Sequence, residues 1–149
     1  MPNNNRYNES LNWLDNLNQN EIKPGLERIK EMMRILGNPQ KKLRIITIGG
    51  TNAKGSTSYN LSKTLMQTGK KIGCFTSPHL HTVRERIRIN NRNIDKETFS
   101  NELMKLKELS KQNNLRMTYF EILTAMAYLY FRNENVDYAV MEIGLGGEW

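Results

Sequence analysis

Apolar residues recur every three or four positions in five segments of the chain, which predicts five helices. The first covers residues 8–20, with Asn8 or Ser10 as its N-terminal cap. The second follows Pro24 and stops at Gly37, because proline suits the first turn of a helix and glycine its end. The remaining helices are predicted over residues 56–69, from the capping residue Asp95 to Leu109, and over residues 118–132.

Runs of β-branched and other apolar residues lie between these helices and predict the strands. Residues 43–49 and 70–77 frame the third helix, and a buried strand is expected at residues 136–144. Residues 85–94 predict a strand and a tight turn. The order strand, glycine loop, helix, strand over residues 43–77 is a βαβ unit, so its two strands are expected to pair in parallel with a right-handed crossover.

These elements predict an α/β domain with a mainly parallel sheet flanked by helices. No repeat or low-complexity linker divides the chain, and its 149 residues are enough for one hydrophobic core. The last predicted strand runs into a glycine turn at residues 144–147, and such a strand normally feeds another element. Residues 1–149 are therefore expected to be the beginning of a larger protein.

Composition adds a net charge of +7 and a charged fraction of 25% to this picture. Such a charge attracts anions: nucleic acid, a nucleotide or an acidic small molecule. Nucleic-acid binding is disfavoured, because most aromatic residues fall in apolar helices rather than in a basic stripe.

No apolar run reaches the roughly 18 residues of a membrane span and the N-terminus lacks the order of a secretory signal, so a cytoplasmic protein without membrane contact is expected. Cys74 is the only cysteine, which excludes an intrachain disulfide and a zinc site built from cysteines.

The segment GGTNAKGSTSYN, residues 49–60, connects the first predicted strand to the third helix. The backbone N–H groups of a glycine-rich turn and the positive end of a helix dipole both favour an anion. Lys54 adds a full charge, and Ser56 and Thr57 add hydroxyls, which is the chemistry of a nucleotide-phosphate loop. The usual pattern G-x-x-x-x-G-K-[ST] is not met, because an alanine precedes the lysine and a glycine follows it. The alternative is a turn that only lets the strand and the helix pack closely.

Two other strand ends carry polar residues that are expected at the same edge of the sheet. Glu142 ends an apolar strand, where a carboxylate either reaches Mg²⁺ on nucleotide phosphates or simply lies exposed. Ser77 follows a strand predicted to run parallel to the first, so it reaches the edge where open α/β sheets bind ligands. Pro78 fixes a turn, and His79 either holds a substrate or caps that turn.

Taken together, the motifs resemble those of the folylpolyglutamate synthase/dihydrofolate synthase family, ATP-dependent ligases related to the Mur ligases. The resemblance extends from about residue 7 over nearly the whole chain, and the joint order of its motifs is highly specific, although no single motif is. The motifs that carry it are PGLERI, LGNPQ, GTNAKGS, TSPHL, ERIRIN, TYFEILTAMAYLYF and MEIGLGG.

This resemblance implies a P-loop-containing domain of the Mur-ligase type, of which residues 1–149 form the N-terminal part. It implies an ATP-binding loop made of Gly50, Thr51, Asn52, Ala53, Lys54, Gly55, Ser56 and Thr57. It implies Mg²⁺ bound by Ser77 and Glu142, with Lys54 and Glu142 as catalytic residues. The implied folate or dihydropteroate contacts are Ser77, Pro78, His79, Thr118, Tyr119, Phe120 and Glu121.

The reaction implied by the resemblance joins L-glutamate to the carboxylate of folate or dihydropteroate through an acyl phosphate formed from ATP. The partners are therefore small molecules, and a monomer is expected for the full-length protein. The family usually has glycine where Ala53 stands; if this position requires a positive φ, alanine costs about 1–2 kcal/mol there. In the family a magnesium-binding histidine, a lysine that is often carbamylated and a glutamate-binding C-terminal domain lie further on, so this chain is not expected to catalyse the reaction alone.

Two alternatives accompany this interpretation. The chain is otherwise a truncated or degenerate nucleotide-binding module without catalysis, a possibility raised by its length and by Ala53. Another Mur-type amide ligase is disfavoured, because the TSPHL and TYFE motifs resemble the folate branch.

Overall fold

A five-stranded sheet with helices on both faces makes up the part of the chain that the computed structural model describes, residues 2–18, 21 and 23–143. The helices are α1 (Pro2–Asn16), α2 (Glu27–Ile35), α3 (Lys54–Met66), α4 (Lys96–Gln112) and α5 (Tyr119–Asn133). The strands are β1 (Ile45–Ile48), β2 (Ile72–Phe75), β3 (Ile87–Ile89), β4 (Arg92–Asn93) and β5 (Tyr138–Glu142). Short 3₁₀ segments at Pro39–Lys42 and Val83–Arg86 precede β1 and β3. Among these residues no helix combines the length and the apolar character needed to cross a bilayer.

The strand order is β1-β5-β2-β3-β4. β5 pairs in parallel with β1, where Ala139 lies opposite Ile45, and in parallel with β2, where Tyr138 lies opposite Ile72. The direct pairing predicted for the two strands of the βαβ unit is wrong, because β5 is inserted between them. An almost fully buried strand such as β5 suits a central position. The parallel direction is confirmed, since β1 and β2 both run parallel to β5, and so is the α/β class.

An antiparallel hairpin of β3 and β4 forms the side of the sheet that lies away from β1. Asn90 and Asn91, which connect the two strands, have φ values of 47° and 62°. Two consecutive left-handed residues are typical of a type I′ hairpin turn, and asparagine adopts this conformation more readily than most other residues. The strand and tight turn predicted over residues 85–94 are therefore confirmed.

Each face of the sheet packs on its own apolar cluster, since successive side chains of a strand point to opposite faces. Phe75 and Met141 belong to the large cluster formed with α1, α2, α4 and α5. Ile72, Cys74 and Val140 belong to the small cluster on the opposite face, beneath α3. Packing on this second cluster holds the start of α3 next to the ends of β1 and β5.

Helix α1 begins earlier than the apolar spacing indicates. It starts at Pro2, so the predicted caps Asn8 and Ser10 lie inside the helix. Ser10 is fully buried, and its hydroxyl donates to the backbone carbonyl of Tyr7. The first residues of the helix, PNNNR, show no apolar residues at helical spacing. The apolar pattern therefore places the start of the helix too late.

Helix α2 begins later than predicted, whereas the predicted start of α4 is confirmed. α2 starts at Glu27 instead of Pro24, because Gly25 has a φ of 99° that a right-handed helix does not accept. Asp95 caps α4 as predicted: its Oδ1 accepts a hydrogen bond of 2.8 Å from the N–H of Thr98.

Candidate functional site

Three parallel strands end at one edge of the sheet, and helix α3 begins there. Residues 49–53 follow β1, Thr76 and Ser77 follow β2, and Ile143 follows β5. Open α/β sheets bind their ligands at this edge. The fold therefore brings together the segments in which the sequence predicts a site, while the glycine turn predicted at residues 144–147 lies outside the described residues.

The loop between β1 and α3 enters the helix through a left-handed residue. Ala53 precedes the first helical residue with a φ of 60° and a ψ of 17°, and no side chain caps the helix. Gly50 has a φ of 126°, and a Cβ there would have no atom within 4 Å. The first N–H groups of a helix lack intrahelical acceptors, and the helix dipole places positive potential beside them. This loop therefore has the properties of an anion site.

The ammonium group of Lys54 links the start of α3 to the end of β5. Its Nζ donates a hydrogen bond of 3.0 Å to the backbone carbonyl of Ile143, and the residue is half-buried. The only full positive charge of the phosphate-loop segment is thus held where β5 ends, close enough to Glu142 to attract its carboxylate.

The carboxylate of Glu142 is buried, since only 6% of the residue is exposed, so the alternative of an exposed strand-end carboxylate is wrong. Its Oε2 accepts a long hydrogen bond of 3.4 Å from the N–H of Ser77. A Cβ on Gly55 would lie 3.9 Å from the same oxygen. Burial raises the pKa of Glu142. The Ser77 N–H and the positive charges of Lys54 and Arg86 act in the opposite direction and lower it, but the effect of burial is larger. The structure therefore brings Lys54, Ser77 and Glu142 together.

Glu142 offers a carboxylate to a metal ion at this site, and the neighbouring Ser77 carries a hydroxyl. In the described ranges, no group of three His, Cys, Asp or Glu side chains is arranged to hold a metal. Mg²⁺ bound to nucleotide phosphates usually takes only one or two protein oxygens and keeps several waters. A buried carboxylate with a single long hydrogen bond from the described residues fits this role.

Arg86 is buried at the same edge, with 8% of the residue exposed, and it was not among the predicted site residues. Its Nε–H donates a hydrogen bond of 2.9 Å to Nδ1 of His79, and its guanidinium carbon lies 5.3 Å from the ring centroid of Tyr119. It also attracts the carboxylate of Glu142. Burial lowers the pKa of Arg86, and burial together with this arginine lowers the pKa of His79. The residue pattern offers no signal for it, because arginine also occupies positions 84 and 88.

The TYFE segment, residues 118–121, begins α5 and ties it to α2. The Thr118 hydroxyl accepts from the N–H of Glu121, and the Glu121 carboxylate accepts from the N–H of Thr118. The same carboxylate binds Arg28 of α2 through two hydrogen bonds of 2.9 and 3.2 Å. Both oxygens of Glu121 thus have partners within the protein, and the segment holds the helix start in place.

The two aromatic residues of this segment have different surroundings. Tyr119 is 2% exposed, its hydroxyl has no hydrogen-bond partner among the described residues, and burial raises its pKa. Phe120 is half-buried and packs against Phe75 of β2, with the ring centroids 5.7 Å apart. Tyr119 therefore lies beside the guanidinium of Arg86 at the candidate site, and Phe120 joins α5 to the end of β2.

Glu85 holds the loop that carries His79. The backbone N–H groups of Leu80, His81 and Thr82 all donate to its carboxylate, at 3.0, 2.9 and 2.8 Å. These bonds lower the pKa of Glu85 to about 2. The carboxylate thereby fixes the backbone of the loop between the site and β3.

Glu85→Gln is expected to remove a pH-dependent contribution to stability. The pKa of this carboxyl is lower in the folded chain than its ordinary value of 4.5. Its contribution is therefore complete above that value and is lost as the pH falls towards about 2. Urea unfolding at several pH values should show a steeper acid loss of stability in the wild type than in the variant. Glu108→Gln, at an exposed position of α4, should keep the wild-type slope; equal slopes for wild type and Glu85→Gln would contradict the assignment.

Ala53→Gly is expected to stabilise the fold by about 1 kcal/mol, because glycine adopts the φ of 60° without a Cβ clash. The greater freedom of glycine in the unfolded chain reduces the gain. Ala127→Gly is the matched control: this alanine lies inside α5, where glycine should destabilise by about 1 kcal/mol or more. Denaturant unfolding measures both changes, and a loss of stability in Ala53→Gly would mean that the left-handed conformation is not strained.

Comparison with known proteins finds folylpolyglutamate and dihydrofolate synthases among the relatives of this chain, although no protein-family model matches it. It is 44% identical over 126 residues to the dihydrofolate synthetase of Saccharomyces cerevisiae, which covers 85% of this chain and 30% of that protein. It superposes with a TM-score of 0.86 and 43% identity on folylpolyglutamate synthase from Thermotoga maritima, covering 95% of this chain and 34% of the other. A folylpolyglutamate synthase–AMPPCP–folate complex matches with a TM-score of 0.87 and 34% identity, over 95% of this chain and 36% of that one.

The chain thus spans about a third of the length of these relatives, and it matches their N-terminal part. Its similarity covers both the sequence and the fold, over nearly all of its own length. The resemblance predicted from the motifs is therefore confirmed.

Proposed function

We propose, from the correspondence of this chain to the N-terminal third of folylpolyglutamate and dihydrofolate synthases, that it forms the nucleotide-binding part of an ATP-dependent ligase. This ligase joins L-glutamate to folate or dihydropteroate. The observation that carries the proposal is the convergence of Lys54, the Ser77 N–H and the buried Glu142 carboxylate beside the N-terminus of α3. A cation, a helix N-terminus and a hard oxygen donor together suit a magnesium nucleotide.

The nucleotide phosphates bind at the loop of residues 50–57. Its residues other than Lys54 are exposed, so the start of α3 is open to a ligand. Lys54 exchanges the carbonyl of Ile143 for phosphate oxygens, because a hydrogen bond to a charged acceptor is roughly twice as strong as one to a neutral acceptor. The hydroxyls of Ser56 and Thr57 lie in the same helical turn and add donors.

Glu142 and the Ser77 hydroxyl are the residues that would hold Mg²⁺. The ion, when bound, neutralises charge on the phosphates during phosphoryl transfer. The protein contributes a carboxylate that is already buried, so little water has to leave it when the ion binds. The positive charge of Lys54, which attracts the same carboxylate, offsets its negative charge.

The acid substrate is expected beside Arg86, His79 and Tyr119. A carboxylate oxygen of the substrate attacks the γ-phosphorus of ATP, the bond to the β-phosphate oxygen breaks and ADP leaves. The amine of glutamate then attacks the acyl carbon, phosphate leaves as the amide forms, and the amine releases a proton. The buried guanidinium of Arg86 supplies the positive charge that keeps a carboxylate at this edge.

Calorimetric titrations of the chain with AMPPCP, with and without Mg²⁺, and with folate test the proposal. We expect AMPPCP binding that strengthens with Mg²⁺, together with folate binding. A folded chain that binds neither ligand would contradict it. For the ligase step, the chain is joined to the remaining part of the Thermotoga maritima relative; ATP consumption should then require both the pteroate compound and glutamate.

A nucleotide-binding module without catalysis is the second candidate, favoured by the left-handed conformation of Ala53 in the phosphate loop. It predicts AMPPCP binding by the chain but no ATP consumption by the joined protein. Another Mur-type amide ligase predicts ATP consumption with an acid other than folate or dihydropteroate. The two assays separate the three possibilities when ATP consumption is also measured with other carboxylic acids in place of the pteroate compound.

A further inference from the structure

Arg86 and His79 form a hydrogen-bonded pair whose geometry determines which atom of the imidazole carries its proton. We infer that Arg86 is a positioning residue that fixes His79 in the Nε2–H form, so that His79 presents an N–H donor to an anionic oxygen of a bound substrate. This inference rests on the proposed function and deepens it, because it assigns a specific hydrogen bond at the same site.

The direction of the hydrogen bond follows from the chemistry of the two groups. A guanidinium has N–H donors and no acceptor, so Nδ1 of His79, 2.9 Å from Nε of Arg86, must accept. A neutral imidazole carries one proton on one of its two nitrogens. With Nδ1 accepting, the proton lies on Nε2, whose N–H bond points away from the guanidinium.

Arg86 and His79 are both held in place by the surrounding fold. The arginine is buried, lies against the ring of Tyr119, and its backbone carbonyl accepts from the N–H of Thr76 at the end of β2. The loop that follows His79 is fixed by the three N–H groups that donate to Glu85. A donor held by rigid neighbours loses little freedom when it binds a ligand.

An anionic oxygen is the acceptor that this environment favours. None of the described residues accepts a hydrogen bond from Nε2 of His79, and the residue is only half-buried. Lys54, Arg86 and the N-terminus of α3 make the same edge electropositive. The acceptor comes either from a phosphate of the nucleotide or from the carboxylate of the acid substrate, since both are expected at this edge.

The ¹⁵N spectrum of histidine-labelled chain tests the positioning role without any ligand. The chain contains two histidines, so Arg86-bound His79 and exposed His81 are assigned by one variant, His81→Gln. We expect His79 in a single neutral Nε2–H form with a hydrogen-bonded Nδ1, and signals for His81 that differ from it. Arg86→Lys, which keeps the charge but loses the planar Nε–H donor, should make His79 resemble His81. A His79 that carries its proton on Nδ1, or that matches His81 in the wild type, overturns the inference.

Two ligand titrations followed on the Nε2 signal then identify the acceptor. A shift with Mg²⁺–AMPPCP alone assigns the donor to a phosphate, and a shift that requires folate assigns it to the carboxylate. His79→Asn should weaken that ligand roughly 10-fold, whereas His79→Gln, whose amide N–H reaches the Nε2 position, should retain most of the affinity. If calorimetry shows both ligands binding while neither moves the Nε2 signal, this inference fails and the proposed function stands. If neither ligand binds, the proposed function fails, and the ligand-free spectrum still decides the role of Arg86.

Discussion

Lys54→Ala is expected to abolish AMPPCP binding by the chain, with a loss of affinity of roughly 100-fold or more. The ammonium is the only full positive charge in the phosphate-loop segment, and it lies at the start of α3, 3.0 Å from the carbonyl of Ile143. Removing it leaves the phosphates with the helix N-terminus and the hydroxyls of Ser56 and Thr57, none of which carries a full charge. The unfolding free energy should fall by about 1–3 kcal/mol, because the variant loses a hydrogen bond from a charged donor and an attraction to the Glu142 carboxylate.

Lys63→Ala is the matched control for this prediction. Lys63 is exposed in the last turn of the same helix, and its ammonium contacts the ring of Tyr59. The Lys63→Ala variant should bind AMPPCP with the affinity of the wild type at the same salt concentration. A Lys54→Ala variant with wild-type affinity, or an equal loss in both variants, would show that general positive charge rather than this loop attracts the nucleotide.

Glu142→Gln is expected to raise the Mg²⁺ concentration needed for AMPPCP binding by roughly 10- to 100-fold. The variant keeps the volume of the side chain and removes the negative charge that would balance the ion. The free energy of unfolding should stay unchanged or increase, since the buried carboxylate is desolvated and has only one long hydrogen bond from the described residues. Binding and stability therefore move independently, which a general disruption of the fold would not produce.

Glu134→Gln provides the control for the removal of a carboxylate. Glu134 follows α5 and pairs with Lys71, which lies just before β2. This pair is therefore near the amino ends of the strands, whereas the candidate site is at their carboxyl ends. Its Mg²⁺ titration should match that of the wild type. An unaltered titration in Glu142→Gln would remove Glu142 from the metal site.

The helices, strands and turns are largely predictable from this sequence, and so is the fact that the parallel strands end at the same edge of the sheet. Capping by Asp95, the tight turn after β3 and the start of α5 at Thr118 follow from short-range chemistry that needs no knowledge of the fold. Parallel strands end at one edge, so the approximate location of Ser77 and Glu142 follows as well. The phosphate loop has an irregular pattern, so its prediction depends on the joint order of the other motifs.

The features that the sequence does not predict depend on contacts between distant segments. β5 enters between β1 and β2 although it follows β2 by about sixty residues and β1 by about ninety, and no local pattern encodes this insertion. The burial of Arg86 depends on α5 placing Tyr119 over it, so one arginine among several similar ones acquires a position at the site. Glu142 was expected to be either metal-bound or exposed, and only its packing beside Ser77 shows that it is buried.

Paramagnetic broadening by Mn²⁺–ADP tests most directly whether Lys54, Ser77 and Glu142 share one nucleotide site, because manganese accepts the same oxygen ligands as magnesium. We predict that amide signals of Gly55, Ser77 and Glu142 broaden together at low metal concentration, while those of the β3–β4 turn at Asn91 remain sharp. The broadening should disappear in Lys54→Ala. Broadening centred elsewhere on the chain, or on one of the three segments without the other two, would contradict the account.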